Sequence, residues 1–196
     1  MAPLVMAVLG SPRLVGNSAV MLETFCQGVS DAGGRVELYN LARLRIAPCQ
    51  ACGGCEQDGE CVVQDDMVGL YRALERVDGL VLAAPVYFGT INAQTKAFID
   101  RCQALWARRF VLDRPPLSPG KKCFYLCVGG RPTLHYCQNA LAVLKNLCYV
   151  LNMELAGHLA FPGVDKPGEI IALADALRQV RQAGKEFTRS LVQKRE

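Results

Sequence analysis

Short apolar runs alternate along this chain with longer amphipathic stretches. Leu4-Val5-Met6-Ala7-Val8-Leu9 is unbroken and stops at Gly10, the pattern of a strand buried on both faces. Over 17–32, Val20, Leu22, Phe25, Cys26 and Val29 share one helical face, and Gly33-Gly34 follows as a C-terminal signal. Arg35-Val36-Glu37-Leu38-Tyr39-Asn40 alternates as a second strand. Asp65 or Asp66 caps a helix to about Arg76, with Met67, Leu70, Tyr71 and Leu74 on one side. A third strand is predicted over 79–84 and a loop at Pro85-Val86-Tyr87-Phe88-Gly89. The pattern then predicts a helix over 93–107, an irregular proline-rich stretch over 108–120, a strand over 122–128 and an exit loop Gly129-Gly130-Arg131-Pro132. A helix over 133–151, a strand over 153–161, a loop over 162–168 and a helix from Glu169 to about Gln193 complete the chain.

Strands alternating with helices imply a parallel sheet covered on both faces. Five strands fit a flavodoxin-like three-layer α/β sandwich of order 2-1-3-4-5, as one domain over 1–196 with a cysteine-rich insertion at about 41–64. Ligands of such a sheet bind outside the carboxyl ends of the strands, at the switch point between strands one and three. That order brings together the loops at 11–18, 85–89 and 129–131. The first carries anion-holding groups: the hydroxyls of Ser11 and Ser18, the charge of Arg13, and Asn17 and Ser18 at a helix start. It matches neither the dinucleotide fingerprint nor the nucleotide-triphosphate loop. A cradle of hydroxyls without a lysine points to a monophosphate such as that of FMN. Pro85, Tyr87 and Phe88 suit a flat ring, or else simply end a core strand. Gly129 and Gly130 permit close backbone approach, or form a plain turn.

A net charge of +4, with no basic run interleaved with aromatics, argues against nucleic acid as a partner. No apolar segment approaches a membrane span, and no secretion signal is visible at the start, so a cytoplasmic location is expected. In that compartment ten cysteines do not suggest a disulfide framework. Four fall in Cys49-Gln50-Ala51-Cys52-Gly53-Gly54-Cys55 and Cys61, a C-x2-C-x2-C-x5-C spacing. Three closely spaced thiolates can wrap one face of a cubane cluster, with a fourth further along taking the last iron. Zinc is the rival, although zinc knuckles are usually further apart. The other six (Cys26, Cys102, Cys123, Cys127, Cys137, Cys148) read as small buried hydrophobes. With only His135 and His158, neither in a recognisable triad, no side-chain catalytic residue is assigned.

Gly10-Ser11-Pro12-Arg13-x-x-Gly16-Asn17-Ser18, then Pro85-Val86-Tyr87-Phe88-Gly89, then Lys96-Ala97-Phe98-Ile99-Asp100-Arg101 resembles the NAD(P)H-dependent FMN reductase family. The resemblance implies a phosphate role for Ser11, Arg13, Asn17 and Ser18, with Gly16 in the same motif. It implies ring contacts for Pro85, Val86, Tyr87, Phe88 and Gly89, with Gly129 and Gly130 beside them. Lys96 and Asp100-Arg101 would support the helix and a subunit contact. The cysteine motif is similar to that of the iron–sulfur flavoprotein branch, which implies a [4Fe-4S] cluster on Cys49, Cys52, Cys55 and Cys61 and a homodimer or homotetramer. Electrons would come from NAD(P)H or a ferredoxin-like donor and pass to a small-molecule or protein acceptor. The alternatives are an NAD(P)H:FMN or quinone reductase without a cluster, a flavodoxin-type electron carrier, and a zinc-loop protein.

Overall fold

A computed structural model describes residues 1–192. The order of elements is β1 (Leu4–Leu9), α1 (Asn17–Asp31), β2 (Arg35–Asn40), a 3-10 turn (Leu41–Arg43), α2 (Cys55–Asp58), α3 (Met67–Arg76), β3 (Gly79–Tyr87), β4 (Thr90–Ile91), α4 (Ala93–Arg101) and α5 (Gln103–Phe110). There follow β5 (Lys122–Gly129), α6 (Leu134–Leu151), β6 (Glu154–Pro162), a second 3-10 turn (Glu169–Ala172) and α7 (Ala174–Val192). Five strands pair in parallel in the order β2-β1-β3-β5-β6. With the two-residue β4 set aside, this is the predicted 2-1-3-4-5 order. The predicted end of the last helix at Gln193 lies outside the described residues.

The unbroken apolar run of β1 has its cause in two cores. Met6 and Val8 face one side with Leu80, Leu82, Tyr125 and Cys127, under α3 to α6. Val5, Ala7 and Leu9 face the other with Val81, Ala83, Leu126 and Val128, under α1 and α7. The edge strands β2 and β6 have no fully buried residue, which is why neither reads as an unbroken apolar run. On the second side α1 and α7 come backbone to backbone at Gly28 and Gly184. A Cβ at Gly28 would lie 2.1 Å from the Arg181 carbonyl oxygen, and one at Gly184 2.2 Å from that of Phe25.

Three boundaries differ from the sequence expectation. The third strand continues through Pro85 to Tyr87 and folds back into β4, pairing Val86 with Ile91 and Tyr87 with Thr90. The predicted loop is therefore a hairpin whose turn is Phe88-Gly89, with φ of +49° and +82°. Two positive φ values are the signature of a turn matched to strand twist, and Phe88 is strained in holding one of them. The helix predicted over 93–107 is two helices meeting at Cys102, whose ψ of 2° interrupts the spiral. The last helix begins at Ala174, after the 3-10 turn that starts at Glu169.

Candidate functional site

The loop over 11–18 is built where β1 ends and α1 begins. The N-cap of α1 is Gly16, which gives no side-chain acceptor, and the first turn contains no acidic residue. The first N–H groups of the helix and its positive dipole end are thus free of an internal anion. Ser11 and Ser18 are buried beside them, and the Ser11 Oγ accepts from the Arg13 N–H at 3.1 Å. Arg13 Nη1 donates to the Asp165 carbonyl at 3.3 Å, which holds its charge over the loop. Asn17 differs from its expected part. Its Nδ2 donates to the Lys166 carbonyl at 2.9 Å, and its Oδ1 accepts from the Ile170 N–H at 3.2 Å. The side chain thereby fastens the 166–170 segment, using one of its two Nδ2–H donors.

Behind this loop lies a buried polar knot that sequence reasoning missed. Asn92 donates to the Gly10 carbonyl at 2.5 Å and accepts from Thr95 Oγ1 at 2.7 Å. Gly10 is a glycine for steric reasons, since a Cβ there would fall 2.0 Å from Thr95 Oγ1. The only sequence signal was an Asn-x-x-Thr spacing at the start of a helix.

Two adjoining cavities form the crevice. One is lined by Ser11, Arg13, Gly16, Asn17, Ser18, Pro85, Val86, Tyr87, Gly129 and Gly130. The other, of about 640 Å³, adds Phe88 and Gly89 and shares Val86, Gly129, Gly130 and Asp165 with the first. All twelve residues expected around a flavin therefore meet at one place, the carboxyl ends of β1, β3 and β5. Tyr87 is half-exposed, and Phe88 is fully exposed at the mouth. Thr133, Tyr136, Cys137 and Asp165 complete the walls and were not foreseen.

The cysteine segment packs elsewhere, against α4, α5 and α6. Cys49, Cys52, Cys55 and Cys61 all line one cavity of about 740 Å³, with Arg101, Trp106 and Leu147 among its other walls. Ala51, Gly53 and Gly59 hold φ of +51°, +73° and +86°, the tight backbone such a wrap needs. Burial pushes the Cys55 thiol up, and negative charge on Cys61, Cys49 and Cys52 would push it further. Among the described residues no three metal-ligating side chains converge at ligand distance. The donor set itself, four thiols and no carboxylate, suits iron–sulfur or zinc chemistry.

The segment is closed by groups that the sequence did not reveal. Asp65 and Asp66 accept from the Ala47 and Arg45 N–H groups at 2.9 and 2.7 Å, pinning both ends of the loop together. Asp65, not Asp66, also caps α3, through the Met67 N–H at 3.0 Å. Arg101, about 1% exposed, reaches from α4 to Asp65 at 2.6 and 3.2 Å, to the Ala47 carbonyl at 2.9 Å and to the Val63 carbonyl at 3.0 Å. Burial acts to raise the Asp65 carboxyl, but the Arg101 bond, two backbone donors and the Arg101 charge outweigh it and hold it below the usual range. Lys96 instead pairs with Asp100 on the exposed side of α4.

A family model described as NADPH-dependent FMN reductase matches residues 3–163. The chain belongs to that family. It is 43% identical over 94 residues to an iron-sulfur flavoprotein of Archaeoglobus fulgidus, covering 48% of this chain and 43% of the relative. It is 33% identical over 101 residues to an iron-sulfur flavoprotein of Methanocaldococcus jannaschii, covering 52% of each. The chain thus spans about half the length of these curated relatives. Among solved structures, an NAD(P)H:quinone oxidoreductase from Methanothermobacter marburgensis superposes with a TM-score of 0.68 at 21% identity, over 94% of this chain and 98% of that one. That likeness concerns the fold of the FMN reductase family member described here. No helix of the described residues is long and apolar enough to cross a membrane.

Proposed function

We propose that the chain is an FMN-dependent oxidoreductase, an iron–sulfur flavoprotein that moves electrons between FMN at the β1/β3/β5 crevice and a [4Fe-4S] cluster on Cys49, Cys52, Cys55 and Cys61. The observation that carries the reading is the meeting of all twelve flavin-side residues in one crevice, next to an uncapped helix start. There the α1 N–H groups, the Ser11 and Ser18 hydroxyls and Arg13 hold the phosphate. The Val86–Gly89 hairpin and the Gly129-Gly130 backbone position the ring. FMN would supply two-electron and one-electron transfer, and the protein's part is to bind, orient and shield it. NAD(P)H or a ferredoxin-like protein is the donor, and a small molecule or protein the acceptor, in a cytoplasmic homodimer or homotetramer.

A second reading is an NAD(P)H:FMN or quinone reductase with no cluster. It rests on the family match to an NADPH-dependent FMN reductase taken alone. Anaerobic purification with visible absorbance and iron, sulfide and zinc analysis separates the two. Flavin with about four irons per chain supports the first. Flavin without iron leaves the second, and absence of flavin refutes both.

A further inference from the structure

The arginine that ends α4 has one donor more than the protein uses. A guanidinium carries five N–H groups in a rigid planar fork. Arg101 Nη1 donates to Asp65 Oδ2 at 2.6 Å and to the Ala47 carbonyl at 2.9 Å. Nη2 donates to Asp65 Oδ1 at 3.2 Å and to the Val63 carbonyl at 3.0 Å. Those bonds account for the four Nη hydrogens. The fifth donor, Nε–H, is buried with no partner among the described residues, in a side chain about 1% exposed. A buried donor left unpaired is costly, and its presence asks for a group that completes it.

Its direction follows from the other four. The two Asp65 bonds lie end-on between Nη1 and Nη2. The Nε–H shares an edge of the fork with the remaining Nη2–H, the one that serves Val63. It therefore faces the 61–63 limb of the loop, which carries Cys61. Arg101 is a wall of the cavity of about 740 Å³ that Cys49, Cys52, Cys55 and Cys61 line, and the one arginine among the described residues there. Cys55 stands at the same helix junction, its Sγ 3.9 Å from the Gln103 carbonyl two residues beyond Arg101. Other acceptors on the wall are engaged or outlying. Lys96 holds Asp100 at 2.6 and 2.8 Å, and Glu56 is exposed. Arg108, which also grips the cysteine segment, already has its Nε on the Gly59 carbonyl at 3.0 Å.

We propose that the Arg101 Nε–H donates a charge-assisted hydrogen bond to anionic sulfur of the metal group held by Cys49, Cys52, Cys55 and Cys61, on its Cys61 side. This rests on those four cysteines binding metal. The fork then has two tasks: its Nη groups set the loop, and its Nε supports the sulfur. An N–H···S bond draws charge off the sulfur, orients the ligand and helps set the potential of an iron–sulfur group.

The test uses the full chain, labelled with ¹⁵N in its arginine side chains, freed of iron and loaded anaerobically with ¹¹³Cd²⁺ as the probe. Arginine Nε–Hε signals are recorded before and after loading. The expected result is that one Hε moves downfield on loading and shows scalar coupling to cadmium, carried through the N–H···S bond. That signal should be lost in Arg101→Lys, which keeps the positive charge and lacks an Nε–H donor of this geometry. If the four cysteines bind cadmium and no arginine Hε couples to it, the Arg101 role is overturned while the metal site stands. A coupled signal that survives in Arg101→Lys also overturns it. Should Arg101→Lys fail to fold, the coupling in the unsubstituted chain decides alone, since Arg101 is the arginine on the cavity wall. A chain whose cysteines take up no cadmium overturns the metal-site reading and the donor role with it.

Discussion

Replacing Arg101 by leucine tests whether the cysteine segment is held by one buried fork. The guanidinium has almost no exposure and makes four bonds, two to Asp65 and one each to the carbonyls of Ala47 and Val63. Leucine keeps the apolar stem and strands a carboxylate and two carbonyls. Removing one partner of a buried pair costs about 3–5 kcal/mol. Asp65 keeps its Ala47 and Met67 N–H donors, and its side chain is 13% exposed, so the lower end applies, about 3 kcal/mol. For a chain of this size that lowers the melting temperature by roughly 6–12 °C. Urea and thermal unfolding of Arg101→Leu, Asp65→Asn and the double variant give the pair's coupling, and hydrogen exchange over 47–64 reports release of the loop. Arg101→Lys should recover only a fraction, because an ammonium cannot serve the carboxylate and two separated carbonyls in one plane. The pH dependence has a definite sign. Asp65 has its carboxyl lowered in the folded state, so its contribution is complete above the unfolded value and fades as pH falls through the folded one. The gap between wild type and Arg101→Leu should therefore narrow below about pH 4. A loss under about 1 kcal/mol, or full rescue by lysine, would refute the fork as the clasp.

Three further outcomes follow from the two sites. Gly10→Ala drives a methyl into Thr95, which is itself buried and bonded to Asn92, so it should cost about 1–3 kcal/mol and weaken FMN binding, as read by melting and flavin fluorescence titration. Arg13→Ala should weaken FMN binding about tenfold or more while leaving riboflavin, which has no phosphate, nearly unaffected. Equal losses for the two flavins would show that Arg13 does not serve the phosphate. Cys52→Ser and Cys61→Ser should each lower iron per chain with flavin retained. Iron unchanged in both would remove the cluster from these cysteines.

Much of the fold is legible because the two apolar periods are clean. A strand covered on both faces reads as a near-continuous apolar run, as β1 does and β5 does from Cys123 to Val128. The order of strands and the crevice loops follow from that. Where the reading slipped, a tertiary contact outweighed a local signal. Asn17 has the chemistry of a cap or an anion ligand, yet a segment about 150 residues away engages its amide. Pro85 looks like a stop, but its φ suits an extended strand, and parallel pairing with Val128 carries β3 onward. Arg101 looks like a surface residue of a helix, and only the path of a loop some 40 residues upstream makes it the centre of a clasp.

The bare contact between α1 and α7 at Gly28 and Gly184 bears on how the protein is made. Helix α1 leaves the ribosome more than a hundred residues before α7, the surface it packs on. The Asn17 bonds to Lys166 and Ile170 impose the same delay on the cradle itself. Until about residue 192 has emerged, α1 is an amphipathic segment with an unsatisfied face, open to chaperones. Flavin capture would then wait for α7, and a ribosome-stalled chain ending near residue 173 should hold no FMN when the released chain of residues 1–196 does.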